Sequence, residues 1–297
     1  MSKHEEKIQK ARTLIEALPY IKHFRGKTLV IKYGGSIMID ETLKKLFAED
    51  VALLRYVGIN PLIVHGGGKE ISKWMHKLGK EAVFIDGQRF TDEETMEITE
   101  MVLSGKINNE IVSLLNRHGG HAVGLSGKSA NLYTASRIRS KKDEDLGYVG
   151  QITSVDASLL TTLFDKGYIP VVSSVGCDGN GMTLNLNADN VASSIAQHLQ
   201  AEKLIYLTDV DGLMLEDILQ SQMDLDQAKK AMGSKDVKGG MLPKLDCSIK
   251  AIENEVSTVH IINGTLEHAV LLEVFTDGGV GTMIMRDCFE KKSEDNA

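Results

Sequence analysis

Three stretches of this chain join glycine to a residue able to meet an anion. The segment Lys32, Tyr33, Gly34, Gly35 closes one strand-forming run, His65, Gly66, Gly67, Gly68 closes another, and Lys244 follows the pair Gly239 and Gly240 in GGMLPKLDCS. Glycine lets the main chain come close to a ligand because no Cβ intervenes. N–H groups at the start of a helix, with the helix dipole behind them, attract negative charge. A fourth stretch, LNLNADN at 184–190, sets Asn185, Asn187 and Asp189 at the approach to a helix. Each feature alone has an ordinary explanation: a lysine at a strand end is commonly a solvated cap, and Asn and Asp are common helix N-caps. Three successive glycines at 66–68 exceed the needs of a tight turn and point to a ligand loop. His65 itself reads as a packing or hydrogen-bonding residue. Together these residues supply what phosphoryl transfer requires: cations for the equatorial oxygens, main-chain donors along the phosphates, and a carboxylate to hold the cations.

The segment LSGKS, 125–129, ends like a phosphate-binding P-loop, but the first glycine of GxxxxGK[ST] falls on Ala122. It reads instead as a strand-end turn with an exposed lysine.

The elements that must position these groups alternate along the chain. TLVIKYG, NPLIVHGGG, YIPVVSSVG, KLIYLTDVDG and TVHIING are short β-branched runs, separated by helical stretches such as TLKKLFAEDVALLRYVG, NADNVASSIAQHLQ and KLDCSIKAIENEV. That alternation predicts βαβ units and a mostly parallel sheet covered on both faces. Ligands of such sheets sit beyond the carboxyl ends of the strands, where the glycine loops fall. RSKKDEDLGYVG, 139–150, reads as an exposed loop or hairpin, and 291–297 as a flexible tail. Residues 3–18 carry an apolar stripe at Ile8, Ala11, Leu14, Ile15 and Leu18, and Pro19 is expected to stop or kink the helix. The stripe either packs on another subunit or folds back on its own domain. A soft seam near residue 200 divides the chain into two lobes.

Composition narrows the field further. Of the 297 residues, 42% are hydrophobic and 25% charged, with a net charge of -7, so there is no general attraction for nucleic acid or acidic membranes. No apolar run is long enough to span a bilayer. Cys177, Cys247 and Cys288 are odd in number and widely spaced, which fits reduced thiols in a cytoplasm and neither a disulfide framework nor a zinc site. The N-terminal segment lacks the features of a secretory signal or transit peptide.

Taken in order, KYGG, HGGG, GQRFT at 87–91, LNLNAD and GGMLPK, spread over residues 27–285, resemble the amino acid kinase family. The resemblance is to members that phosphorylate the side-chain carboxylate of N-acetyl-L-glutamate in arginine synthesis. It implies a three-layer αβα sandwich in two lobes: residues 26–200 for the acyl-amino acid and dimerisation, and 201–290 for ATP. Residues 1–25 would form an oligomerisation helix. Lys32 and Lys244 would then stabilise the transferring phosphoryl group and Asp189 would orient both. Gly34 and Gly35 would wrap the phosphates, with Thr208, Asp209, Gly212, Gly240 and Met241 on the ATP side. Gly67, Gly68 and Asn185 would hold the acyl substrate, and Arg89 would form a two-pronged pair with its α-carboxylate.

Mg2+ would be carried with ATP, with no protein metal ligand. No general base is evident, and a glutamate-type carboxylate with a pKa near ~4.3 needs none. Residues 268–282 resemble those of hexameric, arginine-inhibited members, a trimer of dimers, and imply an arginine site at Tyr20, His268, Glu273, Gly278, Gly279, Gly281 and Thr282. A nitrogen-signalling PII protein is a further partner of such enzymes. The residues leave open a kinase for N-acetyl-aminoadipate and a non-catalytic nucleotide sensor; a nicotinamide dehydrogenase would need the GxGxxG that KYGGSIM does not supply.

Overall fold

The computed structural model describes residues 3–287, so Cys288 and the 291–297 tail lie outside the described residues. The strands in chain order are β1 (Thr28–Tyr33), β2 (Asn60–His65), the short hairpin β3 (Phe84–Ile85) and β4 (Gln88–Arg89), β5 (Ala122–Leu125), β6 (Tyr133–Arg139), β7 (Asp145–Val155) and β8 (Ile169–Ser173). There follow β9 (Val175–Cys177), β10 (Thr183–Leu186), β11 (Lys203–Thr208), a second hairpin of β12 (Met214–Leu215) and β13 (Ile218–Leu219), β14 (Gln222–Asp224), β15 (Thr258–Asn263) and β16 (Gly281–Met285). The helices are α1 (Lys3–Phe24), α2 (Glu41–Tyr56), α3 (Gly68–Lys77), α4 (Glu93–Glu100), α5 (Asn108–Arg117), α6 (Ser158–Asp165), α7 (Ala188–His198), α8 (Leu225–Ala231), α9 (Met241–Glu253) and α10 (Ala269–Phe275).

Eight strands form the central sheet in the order β14-β16-β15-β11-β1-β2-β8-β5. It is parallel throughout except where β16 runs antiparallel to β15. Strand β1 explains why both faces are greasy. Leu29, Ile31 and Tyr33 enter one apolar cluster with Phe47, Ala48 and Val51 of α2, while Val30 enters the other with Val191 and Ile195 of α7 and Leu245 of α9. Alternate side chains of a parallel strand thus meet helices on opposite sides. The αβα expectation is met.

Beside this sheet β6, β7, β9 and β10 close into a small barrel. The hairpin foreseen at 139–150 contributes more to it than an exposed loop: Leu146 and Val149 of the eleven-residue β7 are buried. Strand formation here depends on partners distant in sequence, which outweigh the local charge and glycine content.

Helix α1 continues through Pro19 to Phe24 instead of stopping. Proline removes one main-chain hydrogen bond, but the turn beyond it docks: the Tyr20 hydroxyl donates to the Asp277 carboxylate and Phe24 is buried. On the other side of the proline, Ile8, Leu14, Ile15 and Leu18 are exposed, so the apolar stripe does not fold back on its own chain. Between α4 and α5 the chain keeps coiling as a π-helical segment, Met101–Ile107, which the sequence pattern did not reveal.

Candidate active site

Lys32 occupies the face of β1 that carries Val30, two residues earlier, and lies between Val64 of β2 and Tyr206 of β11. That face is covered by α7 and α9. Asn187 caps α7, its side-chain oxygen accepting from the Asp189 N–H at 2.7 Å, which fixes the carboxylate in the helix's first turn. Lys244 lies in the first turn of α9, which packs on α7. The three side chains therefore meet although they come from three distant segments. Lys32 Nζ stands 2.9 Å from Asp189 Oδ1 and Lys244 Nζ donates to Asp189 Oδ2 at 2.8 Å.

Burial alone pushes the Asp189 carboxyl up, and the fields of Lys32 and Lys244 overcome it, so its pKa is lowered and it stays ionised. Two ammonium groups on one carboxylate leave a net positive charge. Asp189 is the one charged partner of Lys32 among the described residues, so of the three N–H donors of its ammonium group at most one is taken by this contact. Gly34 makes the bend of Lys32 possible, since a Cβ there would fall 3.0 Å from its Nζ. Gly35 adopts φ +77°, a left-handed conformation that suits glycine.

Lys32 and Asp189 line a cavity of about 310 Å³, together with Gly34, Gly67, Arg89 and Asn185 among others. The HGGG loop joins β2 to the N-terminus of α3 as expected. Gly67 is required by packing as well: a Cβ there would lie 2.2 Å from Ile107 Cδ1. Arg89 is buried, and its Nη2 donates to Gly68 O and to Ser72 Oγ, each at 2.8 Å. Both hydrogens of that nitrogen are thus placed, and a two-pronged pair with a carboxylate requires one of these contacts to open. Asn185 Nδ2 donates to Thr91 Oγ1 at 3.1 Å. The lining holds one carboxylate, that of Asp189, and no histidine.

The residues foreseen on the nucleotide side are not part of this lining. Thr208 ends β11, and Gly240 precedes the first residue of α9, Met241. Gly212 has φ +151°, and a Cβ there would fall 2.6 Å from Thr282 Oγ1, so it is needed for packing. In the segment foreseen for arginine, several groups already have partners. Glu273 is buried, with Oε1 2.6 Å from His260 Nδ1 and Oε2 accepting from the Val280 N–H at 3.0 Å. His268 Nδ1 is 2.6 Å from Asp50 Oδ1, and the fully buried Thr282 hydroxyl accepts from the Leu213 N–H at 2.8 Å. Gly278 and Gly279 lie in the turn from α10 into β16, and Gly281 is the first residue of β16.

The P-loop-like segment is the foreseen strand-end turn, but its lysine is paired, Lys128 Nζ donating to Glu100 at 2.7 Å. Ser72 and Asn108 lie outside every motif of the sequence, Thr91 entered only as the last residue of GQRFT and Asp277 only as part of 268–282; the fold is what brings them near the glycines or to α1.

Two converging lysines, a carboxylate between them and glycine loops at the carboxyl edge of a parallel sheet are the equipment of a phosphotransferase. The chain belongs to the amino acid kinase family, whose sequence profile matches residues 27–263. It is 52% identical over 292 residues to an acetylglutamate kinase of Thermoanaerobacter pseudethanolicus, covering 97% of both chains. It is 55% identical to that of Caldanaerobacter subterraneus subsp. tengcongensis, again over 97% of each. Among solved structures, an N-acetylglutamate synthase from Neisseria gonorrhoeae complexed with coenzyme A and N-acetyl-glutamate superposes with TM-score 0.83 at 30% identity, over 94% of this chain. The present chain spans 64% of that one. The same synthase complexed with coenzyme A and L-arginine gives TM-score 0.80 at 29% identity, over 94% of this chain and 66% of that one.

Proposed function

We propose that the chain transfers the γ-phosphoryl group of ATP to the side-chain carboxylate of N-acetyl-L-glutamate, giving an acyl phosphate for arginine synthesis. The observation that carries this is the Asp189 carboxylate joined to both Lys32 and Lys244 beside a cavity that also holds Arg89. The acceptor is ionised at neutral pH, so the obstacle is one anion approaching another, and not the removal of a proton. Lys32 and Lys244 lower that repulsion by meeting the migrating phosphoryl group, while Asp189 keeps the two ammonium groups together. Main-chain N–H groups at Gly34 and Gly35 face the phosphates. Gly67, Gly68 and Asn185 hold the acyl-amino acid, and Arg89 takes its α-carboxylate. Thr208, Asp209, Gly212, Gly240 and Met241 form the nucleotide side. Mg2+ bound to the nucleotide's own phosphates supplies further charge neutralisation.

Initial rates of ADP release with N-acetyl-L-glutamate, glutamate and N-acetyl-aminoadipate test this directly. Turnover is expected with the first and to be about tenfold or more weaker with the longer homologue, since one methylene is worth roughly 1–3 kcal/mol. Equal turnover of free glutamate, or none of the acetylated acid, refutes the assignment.

Two finer assignments accompany this one. The exposed stripe Ile8, Leu14, Ile15, Leu18 on α1 supports a hexamer in which N-terminal helices join dimers. The Tyr20–Asp277 contact, which ties α1 to the turn at 276–280, supports an arginine site at that junction, with Glu273 as the anionic partner once its contacts with His260 and the Val280 N–H open. Residues 26–200 then serve the acyl substrate and dimerisation and residues 201–290 the nucleotide. A cytoplasmic location and docking of a PII-type regulator belong to the same proposal; no helix among the described residues is long and apolar enough to cross a membrane. Arginine should inhibit the wild type and lose its effect on Glu273→Gln, and light scattering should return a sixfold mass; unchanged inhibition and a dimer mass would remove both assignments.

A further inference from the structure

Behind the HGGG loop lies a polar network that the proposed chemistry does not use. Asn108 begins α5 directly after the π-helical segment and is buried. Its Nδ2 is 2.9 Å from the Val171 carbonyl oxygen and 3.0 Å from Nε2 of His65. A carbonyl oxygen can only accept, so the amide atom facing Val171 is the nitrogen. The same amino group then donates to His65 Nε2, which leaves the ring proton on Nδ1. That nitrogen lies 3.0 Å from the Gly66 carbonyl oxygen and donates to it. His65 is fully buried and burial pushes its pKa down to about 4, so the ring is neutral at working pH.

The surroundings hold Asn108 in place. A Cβ on Gly124 would fall 2.0 Å from Asn108 Oδ1, so only glycine leaves the amide its room. The helix also presses on the loop through Leu103 and Ile107, which a Cβ on Gly67 would meet at 2.7 and 2.2 Å. π-Helical turns recur at functional sites. Here the turn lets one helix touch the loop with apolar and polar side chains together. A glycine peptide has little of its own to resist rotation, and a planar trans peptide points the N–H of Gly67 opposite to the carbonyl of Gly66.

We infer that Asn108 and His65 are positioning residues: Asn108 selects the His65 tautomer, and the Nδ1–H of His65 holds the Gly66–Gly67 peptide so that the Gly67 N–H is presented to the acyl-amino acid. This rests on the proposed assignment of Gly67 to that substrate.

Full-length enzyme carrying His65→Asn, His65→Gln or Asn108→Leu tests it by initial rates at varied N-acetyl-L-glutamate and varied MgATP. Asparagine sets an amide nitrogen where His65 has Nδ1, and glutamine sets one where it has Nε2. His65→Gln and Asn108→Leu should raise KM for the acyl-amino acid about tenfold, with KM for ATP within about twofold of wild type, while His65→Asn stays within about threefold. Glutamine substituting as well as asparagine, or both KM values rising together, overturns the inference. Should the variants not fold, the ring nitrogens of His65 in 15N NMR of the wild type decide: a neutral Nδ1–H form supports the network, and an Nε2–H or doubly protonated ring overturns it. Absence of turnover in the wild type would refute the substrate assignment instead, and the NMR result would still decide the tautomer.

Discussion

Two buried charge clusters in this molecule are built from similar parts and left in opposite conditions. In one, Asp189 lies between Lys32 and Lys244, whose side chains keep 13% exposure, and Asp189 and Lys32 border a cavity. In the other, Lys203 Nζ reaches His260 Nε2 at 2.9 Å, His260 Nδ1 reaches Glu273 Oε1 at 2.6 Å, and Glu273 Oε2 accepts from Val280 at 3.0 Å. The second chain is closed: cation, neutral imidazole and carboxylate satisfy one another, and Phe24 lies under the ammonium. The first keeps a surplus cation and donors that no group among the described residues uses. Buried charge is costly unless paired, so an excess left beside a cavity points to a ligand, whereas a balanced chain points to the fold.

The comparison breaks most sharply at the lysines. Lys32→Ala and Lys244→Ala should each lower kcat by about 10²–10⁴ with a small change in unfolding free energy, because Asp189 retains one partner. Near-normal turnover in both variants would contradict the contrast. Glu273→Ala should do the reverse, costing about 3 kcal/mol in urea unfolding because it leaves the His260 Nδ1–H without an acceptor and the Lys203 charge without the carboxylate beyond it, with substrate turnover retained in the folded fraction. A variant as stable as wild type would show that the closed cluster does not support the fold.

The pH response sharpens the same difference. Burial lowers the pKa of His65, to about 4, and of His260. The unfolded chain therefore binds protons below pH ~6.5 that the native state refuses, so stability should fall as pH drops below ~6.5, by at most about 1.4 kcal/mol per unit for each histidine, with the His65 share running down to about pH 4. His65→Asn should flatten this slope in urea titrations, and an unaltered slope would assign it elsewhere.

The smallest effects come from two matched glycines. A Cβ on Gly34 would lie 3.0 Å from Lys32 Nζ, and one on Gly279 would lie 3.0 Å from Glu273 Oε2. Gly34→Ala should reduce kcat by about tenfold at nearly constant stability. Gly279→Ala, at φ +56°, should cost about 1 kcal/mol of stability at constant kcat. Exchanged outcomes would invert the roles given to the clusters.

Much of the first cluster was legible in the chain because local features mark it. Lys32 ends an apolar run, Asp189 follows an N-cap asparagine, and Lys244 follows a glycine pair, so each announces its place at a strand end or helix start. The αβα layering was legible for the same reason, through period and punctuation. The second cluster was hidden. Lys203 and His260 read as ordinary members of strands, and only the pairing of β11 with β15 brings them together. The small barrel and the π-helical segment escaped because strand closure and helix widening depend on distant partners. Pro19 does not stop α1, because docking beyond it outweighs the lost hydrogen bond.

The proposed transfer requires Lys32 and Lys244 to act on one phosphoryl group. A crystal structure with ADP, Mg2+, aluminium fluoride and N-acetyl-L-glutamate would test that most directly. Both Nζ atoms are predicted within about 3 Å of the fluoride ligands that mimic the equatorial oxygens. Either nitrogen turned away from that group, with Asp189 as its sole partner, would contradict the account.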